Sequence, residues 1–311
     1  MKVAILMSTY NGEKYLSDQI NSIINQKYDK WNLYIRDDGS SDNTVAIINS
    51  FCKKDKRIHL LKDKRSRLGP KNSFFTLLRD IEADCYFFSD QDDVWKSTKI
   101  GNMLKYVDYS EPQVIYCGLQ CTDSNLIPVD MKMNNIVGTL NGKNRFVAND
   151  IPGCTMAINQ KLRKLFLKGN YWNQNIMMHD WWLALIGESF GNIVFLDQKL
   201  VYYRQHGNNT LGAGKNRNVL GKFFAIKEIF TSQVKLVKGT WNQSNVFYKN
   251  YNQFLDFEFK KFLEDMISCR HSSVITRIDF FKKYKLVTTS KFQLMLYKLI
   301  FVYFLNCALS D

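Results

Sequence analysis

Three short apolar runs near the start of the chain each stop at a cluster of polar and acidic side chains, and this arrangement restricts the fold more than any other feature. Val3–Met7 is followed by Ser8-Thr9-Tyr10-Asn11-Gly12-Glu13, and Trp31–Arg36 by Asp37-Asp38-Gly39-Ser40-Ser41-Asp42. Cys85–Ser89 is followed by Asp90-Gln91-Asp92-Asp93-Val94-Trp95. Between them lie Leu16–Ile24, Val45–Phe51 and Phe74–Ile81, with helical spacing of apolar residues, and a further short run at His59–Leu61. Strands alternating with helices in this way predict right-handed βαβ units on a mostly parallel, Rossmann-like sheet of the α/β class. Ligands in such sheets sit beyond the carboxyl ends of the strands, where all three polar clusters fall.

From residue 114 the pattern loosens. Val114–Cys117 and Thr155–Ile158 read as further strands, Trp181–Ile186 as a helix and residues 193–203 as a strand pair. Beyond residue 215, helical patterns rich in Phe, Tyr and Lys run to the end, with no Pro and no Gly after Gly239. The expected organisation is a catalytic domain over 1–215 and a basic, aromatic-rich helical region over 216–311.

The 43 Lys and Arg against 29 Asp and Glu leave a net charge of +14, which favours anionic partners and says nothing about fold. A nucleic-acid-binding module would not need acidic strand ends, which repel phosphates, so no nucleic-acid partner is expected. The nine basic residues of Lys53–Lys71, with Asp55 and Asp63 among them, read either as a solvated face or as attraction to anionic lipid headgroups. Seven cysteines form no CxxC pair and no zinc-like cluster, the usage of reduced, buried thiols. Lys2 and the short Val3–Met7 run do not make a signal peptide, so a cytoplasmic location is expected.

Three carboxylates within Asp90–Asp93 repel one another unless positive charge sits among them. A divalent cation is the natural partner, and hard oxygen ligands suit Mg2+ or Mn2+. The competing role, an acidic helix cap, fits Asp93. A carboxylate at Asp37 or Asp38 can accept the imide N–H of a pyrimidine, although the segment also reads as a plain turn with Asp42 capping the next helix. Tyr10 either stacks on a base or packs. Asp180 stands between His179 and two tryptophans at a helix start. It reads as a general base whose pKa Trp181 and Trp182 raise by desolvation, or as a helix cap ahead of core aromatics. His206 lies among Arg204, Gln205, Asn208 and Asn209, too polar a segment for core.

Thr9-Tyr10-Asn11-Gly12, Asp37-Asp38-Gly39-Ser40-Ser41-Asp42 and Asp90-Gln91-Asp92-Asp93-Val94-Trp95 together resemble glycosyltransferase family 2, whose catalytic domain has the GT-A fold. Gly69 and Asn72-Ser73-Phe74 resemble that family's segment between its acidic motifs. His179-Asp180-Trp181-Trp182 and Tyr203-Arg204-Gln205-His206-Gly207-Asn208-Asn209 resemble its bacterial rhamnosyltransferase branch. The resemblance covers about residues 1–215. It implies an inverting transferase that binds a nucleotide sugar through Thr9, Tyr10, Asn11, Glu13, Asp37, Asp38, Asn72, Asp90, Gln91 and Asp92. Asp90 and Asp92 would hold Mn2+ or Mg2+, with Asp92 the direct ligand, His206 would bind the metal or the diphosphate, and Asp180 would be the catalytic base. Trp95, Trp181 and Trp182 would line the sugar or acceptor pocket.

The implied donor is dTDP-L-rhamnose, with UDP-glucose, UDP-galactose or a UDP-N-acetylhexosamine as the alternative. The implied acceptor is a glycan or glycolipid in cell-surface polysaccharide assembly, at the inner face of the cell membrane. Pro70 and Lys71 depart from the small or apolar residues expected after Gly69, and Lys71 or Arg67 stands as a phosphate contact. A nucleotidyltransferase, the rival from another class, brings a Gly-rich basic loop after its first strand, whereas Ser8–Glu13 has one Gly and no Arg.

Phe292–Leu309 is largely apolar, but a spanning helix needs about 20 such residues, and Lys298 would cost roughly 2.5–3.5 kcal/mol at the bilayer centre. No transmembrane helix is therefore expected. Ile275–Val287 sets Phe280 and Phe281 beside Lys282, Lys283 and Lys285, which suits an interfacial helix; a packed helical bundle or a homodimer interface reads equally well.

Overall fold

A computed structural model describes residues 1–63, 65–131, 138–170, 174–206 and 219–309, with side chains of 219–227 left aside. Strands β1 (Val3–Thr9), β2 (Trp31–Asp37), β3 (Ile58–Leu60) and β4 (Cys85–Ser89) alternate with α1 (Leu16–Ile24), α2 (Thr44–Lys54) and α3 (Gly69–Asp80). They pair in parallel in the order β3-β2-β1-β4. β1 and β4 are buried almost throughout, as their unbroken apolar runs require of central parallel strands.

Past β4 the sheet becomes mixed. β5 (Val94–Trp95), α4 (Lys99–Leu104), β6 (Gln113–Thr122), β7 (Met156–Asn159), α5 (Gln160–Lys168), α6 (His179–Phe190) and β8 (Asn192–Arg204) complete it. β7 runs antiparallel between β4 and β6, β8 lies parallel to β6, and β5 closes the edge antiparallel to β8. The eight strands thus follow the order β3-β2-β1-β4-β7-β6-β8-β5.

Two expectations about elements are corrected. The strand pair over 193–203 is the single strand β8. Its register against β6 slips at Gly118: Leu196 faces Cys117, but Lys199 faces Gly118. Exposed Asp197, Gln198 and Lys199 bulge there, and that polar run imitates a turn in the sequence. A Cβ at Gly118 would lie 3.2 Å from the Gln198 carbonyl oxygen, a tight approach that the bare glycine relieves. The helix expected from Phe74 begins earlier, at Gly69. Pro70 sits in its first turn, where the missing N–H has no intrahelical partner to lose. Arg67 and Gly69, at φ +58° and +74°, turn the chain into it.

The described parts of Met1–Gly138, Ile151–Lys168 and Met178–Gly212 form one compact unit, which holds the sheet. A second unit draws Thr139–Asp150 and Gly169–Met177 together with the C-terminal region. Its helices are α7 (Val219–Tyr251), α8 (Phe257–Ser268), α9 (Val274–Tyr284) and α10 (Lys291–Ala308). Asp256, Ser273 and Ser290 cap the last three, each accepting a backbone N–H three residues on. Phe262, Phe280, Phe281, Tyr297 and Phe301 form their core. Among the described residues no helix is long and apolar enough to cross a membrane.

Arg36, fully buried near the end of β2, holds the sheet's ligand edge in shape. Its guanidinium donates to Asp63 (3.0 Å), Asp38 (2.7 Å), Ser73 Oγ (2.8 Å) and the Arg65 carbonyl (2.6 Å). Asp38 also accepts the backbone N–H groups of Leu68 and Gly69 at 2.9 and 2.8 Å. Burial pushes the Asp63 carboxyl up, yet the Arg36 guanidinium beside it holds it below its usual range. Arg36→Met strips buried Asp38 of its counter-ion and leaves Asp63 only Arg65, and is expected to destabilise the protein by about 3–5 kcal/mol. Urea unfolding measures this as a lowered midpoint at unchanged slope; a loss below about 1 kcal/mol would show that the loops hold without it.

Candidate active site

The polar clusters do meet at one edge, because β1, β2 and β4 are adjacent and parallel. Thr9 Oγ1 donates to Asp37 at 2.9 Å. Gln91 bridges to the first loop, accepting the Tyr10 N–H at 2.9 Å and donating to the Tyr10 carbonyl at 3.0 Å. Asn11, at φ +47°, accepts the Ser41 N–H, and its own N–H goes to Ser40 Oγ. Glu13 accepts from the backbone and side chain of Asn43. Asn72 donates to the Leu68 carbonyl in the first turn of α3. Much of the expected nucleotide-binding set therefore ties these loops to one another, while the Tyr10 ring stands 54% exposed.

Counting acceptor positions separates the two aspartates after β2. Asp37 receives Thr9 and Ser40 hydroxyls on Oδ1 and two backbone N–H groups on Oδ2, which fills its lone pairs. Asp38 receives Arg36 and Leu68 on Oδ1 and only Gly69 on Oδ2, leaving one acceptor position.

Asp90, Asp92 and Asp93 leave β4 together. Pairing of Val94 with Tyr202 and of Trp95 with Val201 carries the end of β8 to this acidic loop. His206 Nε2 lies 2.8 Å from Asp92 Oδ2, with its ring 5.0 Å from that of Tyr15. Gly207, Asn208 and Asn209 of the same segment lie outside the described residues. Arg204 donates its N–H to Asp93 Oδ1, Nε to the Asp92 carbonyl and Nη2 to Asp18.

Burial, then the charges of Asp92 and Asp180, push the Asp90 carboxyl up to about 7. Burial, then the charges of Asp92 and Asp90, push Asp93 well up, and its buried Oδ2 has no hydrogen-bond partner. Beneath them lies Lys99, also buried, its Nζ 2.6 Å from the Cys154 carbonyl and 3.4 Å over the Trp95 ring. Burial brings its pKa down to about 8, and the Asp90 and Asp93 charges resist that fall. Ligand atoms of Asp90, Asp93 and Cys154 come within 4.8 Å of one another. Burial holds the Cys154 thiol protonated, so the donors offered are oxygens. An orphaned carboxylate oxygen and crowded acidic groups fit a hard divalent cation such as Mn2+ or Mg2+.

Asp180 lies in the first turn of α6 and is partly exposed. Burial pushes it up to about 6, against the pull of the Trp181 and Gly153 N–H groups. His179 is buried and stacks on Phe74 at 4.0 Å; burial takes it down to about 3, so it is neutral. A Cβ on Gly153 would sit 2.8 Å from its Nε2, which explains that glycine. The expected tryptophan wall is corrected: Trp95, Trp181 and Trp182 are 3%, 6% and 0% exposed and pack the core. Lys71, one of two expected phosphate contacts, is half-buried in the first turn of α3, and burial lowers its pKa.

Sequence reasoning missed Lys99, Arg204 and Cys154. A Lys four residues past Trp95 and an Arg two before His206 were visible, but their burial among carboxylates was not.

A curled α/β sheet with acidic loops at its strand ends is the frame of a GT-A glycosyltransferase. The chain belongs to glycosyltransferase family 2, whose model matches residues 4–166. It is 31% identical over 222 residues to the dTDP-rhamnosyl transferase RfbG of Shigella flexneri, covering 67% of this chain and 74% of that one. In fold it is similar to S. aureus TarS, solved in complex with UDP-GlcNAc (TM-score 0.58, 14% identity, 100% of this chain and 91% of that one). It is also similar to the mannosyltransferase PcManGT from Pyrobaculum calidifontis, solved with GDP-Man and Mn2+ (TM-score 0.55, 13% identity, 98% and 86% covered).

The acidic cluster makes stability depend on pH. With Asp90 near 7 when folded and near its ordinary 3.8 when unfolded, the folded state holds the extra proton between these values. The cation-free protein is therefore expected to lose stability as pH rises through that window. Saturating Mn2+ should raise Tm by several degrees, more at about pH 7.5 than at about pH 5.5, and less in Asp92→Asn. Differential scanning fluorimetry reads this; an equal shift at both pH values would place the cation elsewhere.

Proposed function

We propose that the protein transfers L-rhamnose from dTDP-L-rhamnose, with inversion, to a hydroxyl of a lipid-linked glycan during cell-surface polysaccharide synthesis. The transfer would take place at the inner face of the cell membrane. The observation that carries the transfer chemistry is a base, Asp180, pushed up to about 6 by burial and close enough to Asp90 for its charge to raise that carboxyl. Likeness to a dTDP-rhamnosyl transferase supports the donor.

Asp38, with one acceptor position left on Oδ2, takes the imide N–H of the pyrimidine, and the exposed Tyr10 ring covers the base. Asp37 instead holds the turn that presents them. Asp90 and Asp92, with His206 2.8 Å from Asp92, are the residues that would hold a divalent cation. When bound, that cation neutralises charge building on the departing nucleoside diphosphate. Asp180 takes the acceptor hydroxyl's proton as the new glycosidic bond forms and the sugar–phosphate bond breaks. Its raised pKa strengthens it as a base while leaving it ionised at neutral pH.

Because only the carboxylate of Asp180 accepts a proton, kcat should fall about tenfold per pH unit below about 6 and stay flat above it. Asp180→Asn should lower kcat by about 10²–10⁴ and leave donor affinity unchanged. Calorimetry with Mn2+ and with EDTA, comparing dTDP-rhamnose with UDP-glucose, UDP-galactose and UDP-N-acetylglucosamine, tests the donor. Metal-dependent binding of dTDP-rhamnose alone is the expected result; preference for a UDP-sugar keeps the enzyme class and overturns the donor.

A further inference from the structure

The helical unit carries an apolar surface that its own packing leaves open. On α10, Phe292, Met295, Leu299 and Tyr303 follow one another at helical spacing and are 58%, 58%, 43% and 57% exposed. Ile275 of α9 is exposed as well. Between the two helices lies a cavity of about 450 Å³, floored by Ile278, Phe281, Leu299 and Val302. Lys282 and Lys298 line it as well. Soluble surfaces rarely expose a contiguous stripe of this kind unless something covers it.

Charge says what that is. α10 contains no acidic residue, and between Val274 and Leu309 the one carboxylate is Asp279, which pairs with Lys282. Lys285 is exposed on the connection between the helices, Lys291 is exposed at the start of α10, and Lys298 lies against the Phe281 ring. An apolar stripe with lysines along its edge matches the interface of an anionic bilayer, where the chains bury and the ammonium groups meet lipid phosphates. A second copy of this chain fits poorly. A two-fold interface would set the lysine-edged stripe against itself, with like charges and only Asp279, already paired with Lys282, to meet them. Spanning is excluded for α10, since it is not apolar enough to cross.

We propose that the α9–α10 face is a monotopic docking surface for an anionic membrane leaflet. Phe292, Met295, Leu299 and Tyr303 enter the headgroup–acyl boundary, the groove beside Phe281 receives lipid chain, and Lys285, Lys291 and Lys298 hold the phosphates. The inference deepens the membrane location given above, but its test does not depend on donor or transfer.

The full chain is sedimented with vesicles of phosphatidylcholine alone or mixed equally with phosphatidylglycerol, at low and high salt. Binding to the mixed vesicles, weakened by salt and at least about tenfold stronger than to neutral ones, is expected. Met295→Glu with Leu299→Glu should abolish it, and each of Lys285→Gln, Lys291→Gln and Lys298→Gln should weaken it about fivefold. Thermal melts of each variant, matching the parent, keep folding out of the result, because all these side chains except the partly covered Lys298 are exposed. Equal binding to both vesicle types, or unchanged binding by the glutamate variant, overturns the proposal. So does a concentration-dependent dimer, broken by the same variant, in a protein that ignores vesicles. Loss of vesicle binding with donor calorimetry intact separates this surface from the proposed transfer reaction.

Discussion

Carboxylates confined at the end of β4 set the terms for the rest of the sheet unit. Asp90, Asp92 and Asp93 leave one strand within a turn, and Asp180 approaches from α6 closely enough to raise Asp90 further. Like charges in a site shielded from water cannot all ionise unless cations join them. Lys99, buried below, and Arg204, clasping the loop from β8, offset part of that charge. The remainder fits a divalent ion, while burial alone pushes Asp180 up to about 6 and burial with neighbouring charge pushes Asp90 up to about 7, near neutrality, where proton transfer is useful.

A second buried charge, Arg36, performs the matching task on the neighbouring loops. By joining Asp38, Asp63, Ser73 and the Arg65 carbonyl, it makes the loops after β2 and β3 one rigid wall. The reciprocal bonds of Gln91 with Tyr10 then lock the loop after β1 to the acidic loop. Residues expected to bind a donor thus serve first to clasp these loops to one another. Preorganisation of this kind lowers the ordering required when a ligand arrives.

How much of this was legible in the sequence differs residue by residue. The βαβ half of the sheet and the meeting of the polar clusters were readable, because period-two and period-3.6 patterns are local and parallel strands put their ends on one edge. The exposed bulge at Asp197–Lys199 misled, since a polar run in a strand looks like a turn. Trp95, Trp181 and Trp182 misled too: an aromatic beside a carboxylate reads as a sugar platform, and only packing shows it to be core.

The sequence by itself determined the α/β class, the family, the strand ends where chemistry gathers, and the basic, aromatic character of the C-terminal helices. The tertiary structure alone decided which groups face one another. The antiparallel fit of β5 to β8 brings His206 to Asp92 across more than a hundred residues of chain. The nearby Asp90 and Asp93 charges favour the charged form of Lys99 against its burial, and burial makes His179 a neutral packing ring. Hydrogen-bond occupancy makes Asp37 a turn residue and leaves Asp38 an acceptor. Composition and periodicity are properties of neighbours along the chain, whereas register, desolvation and shared acceptors arise only when distant segments meet.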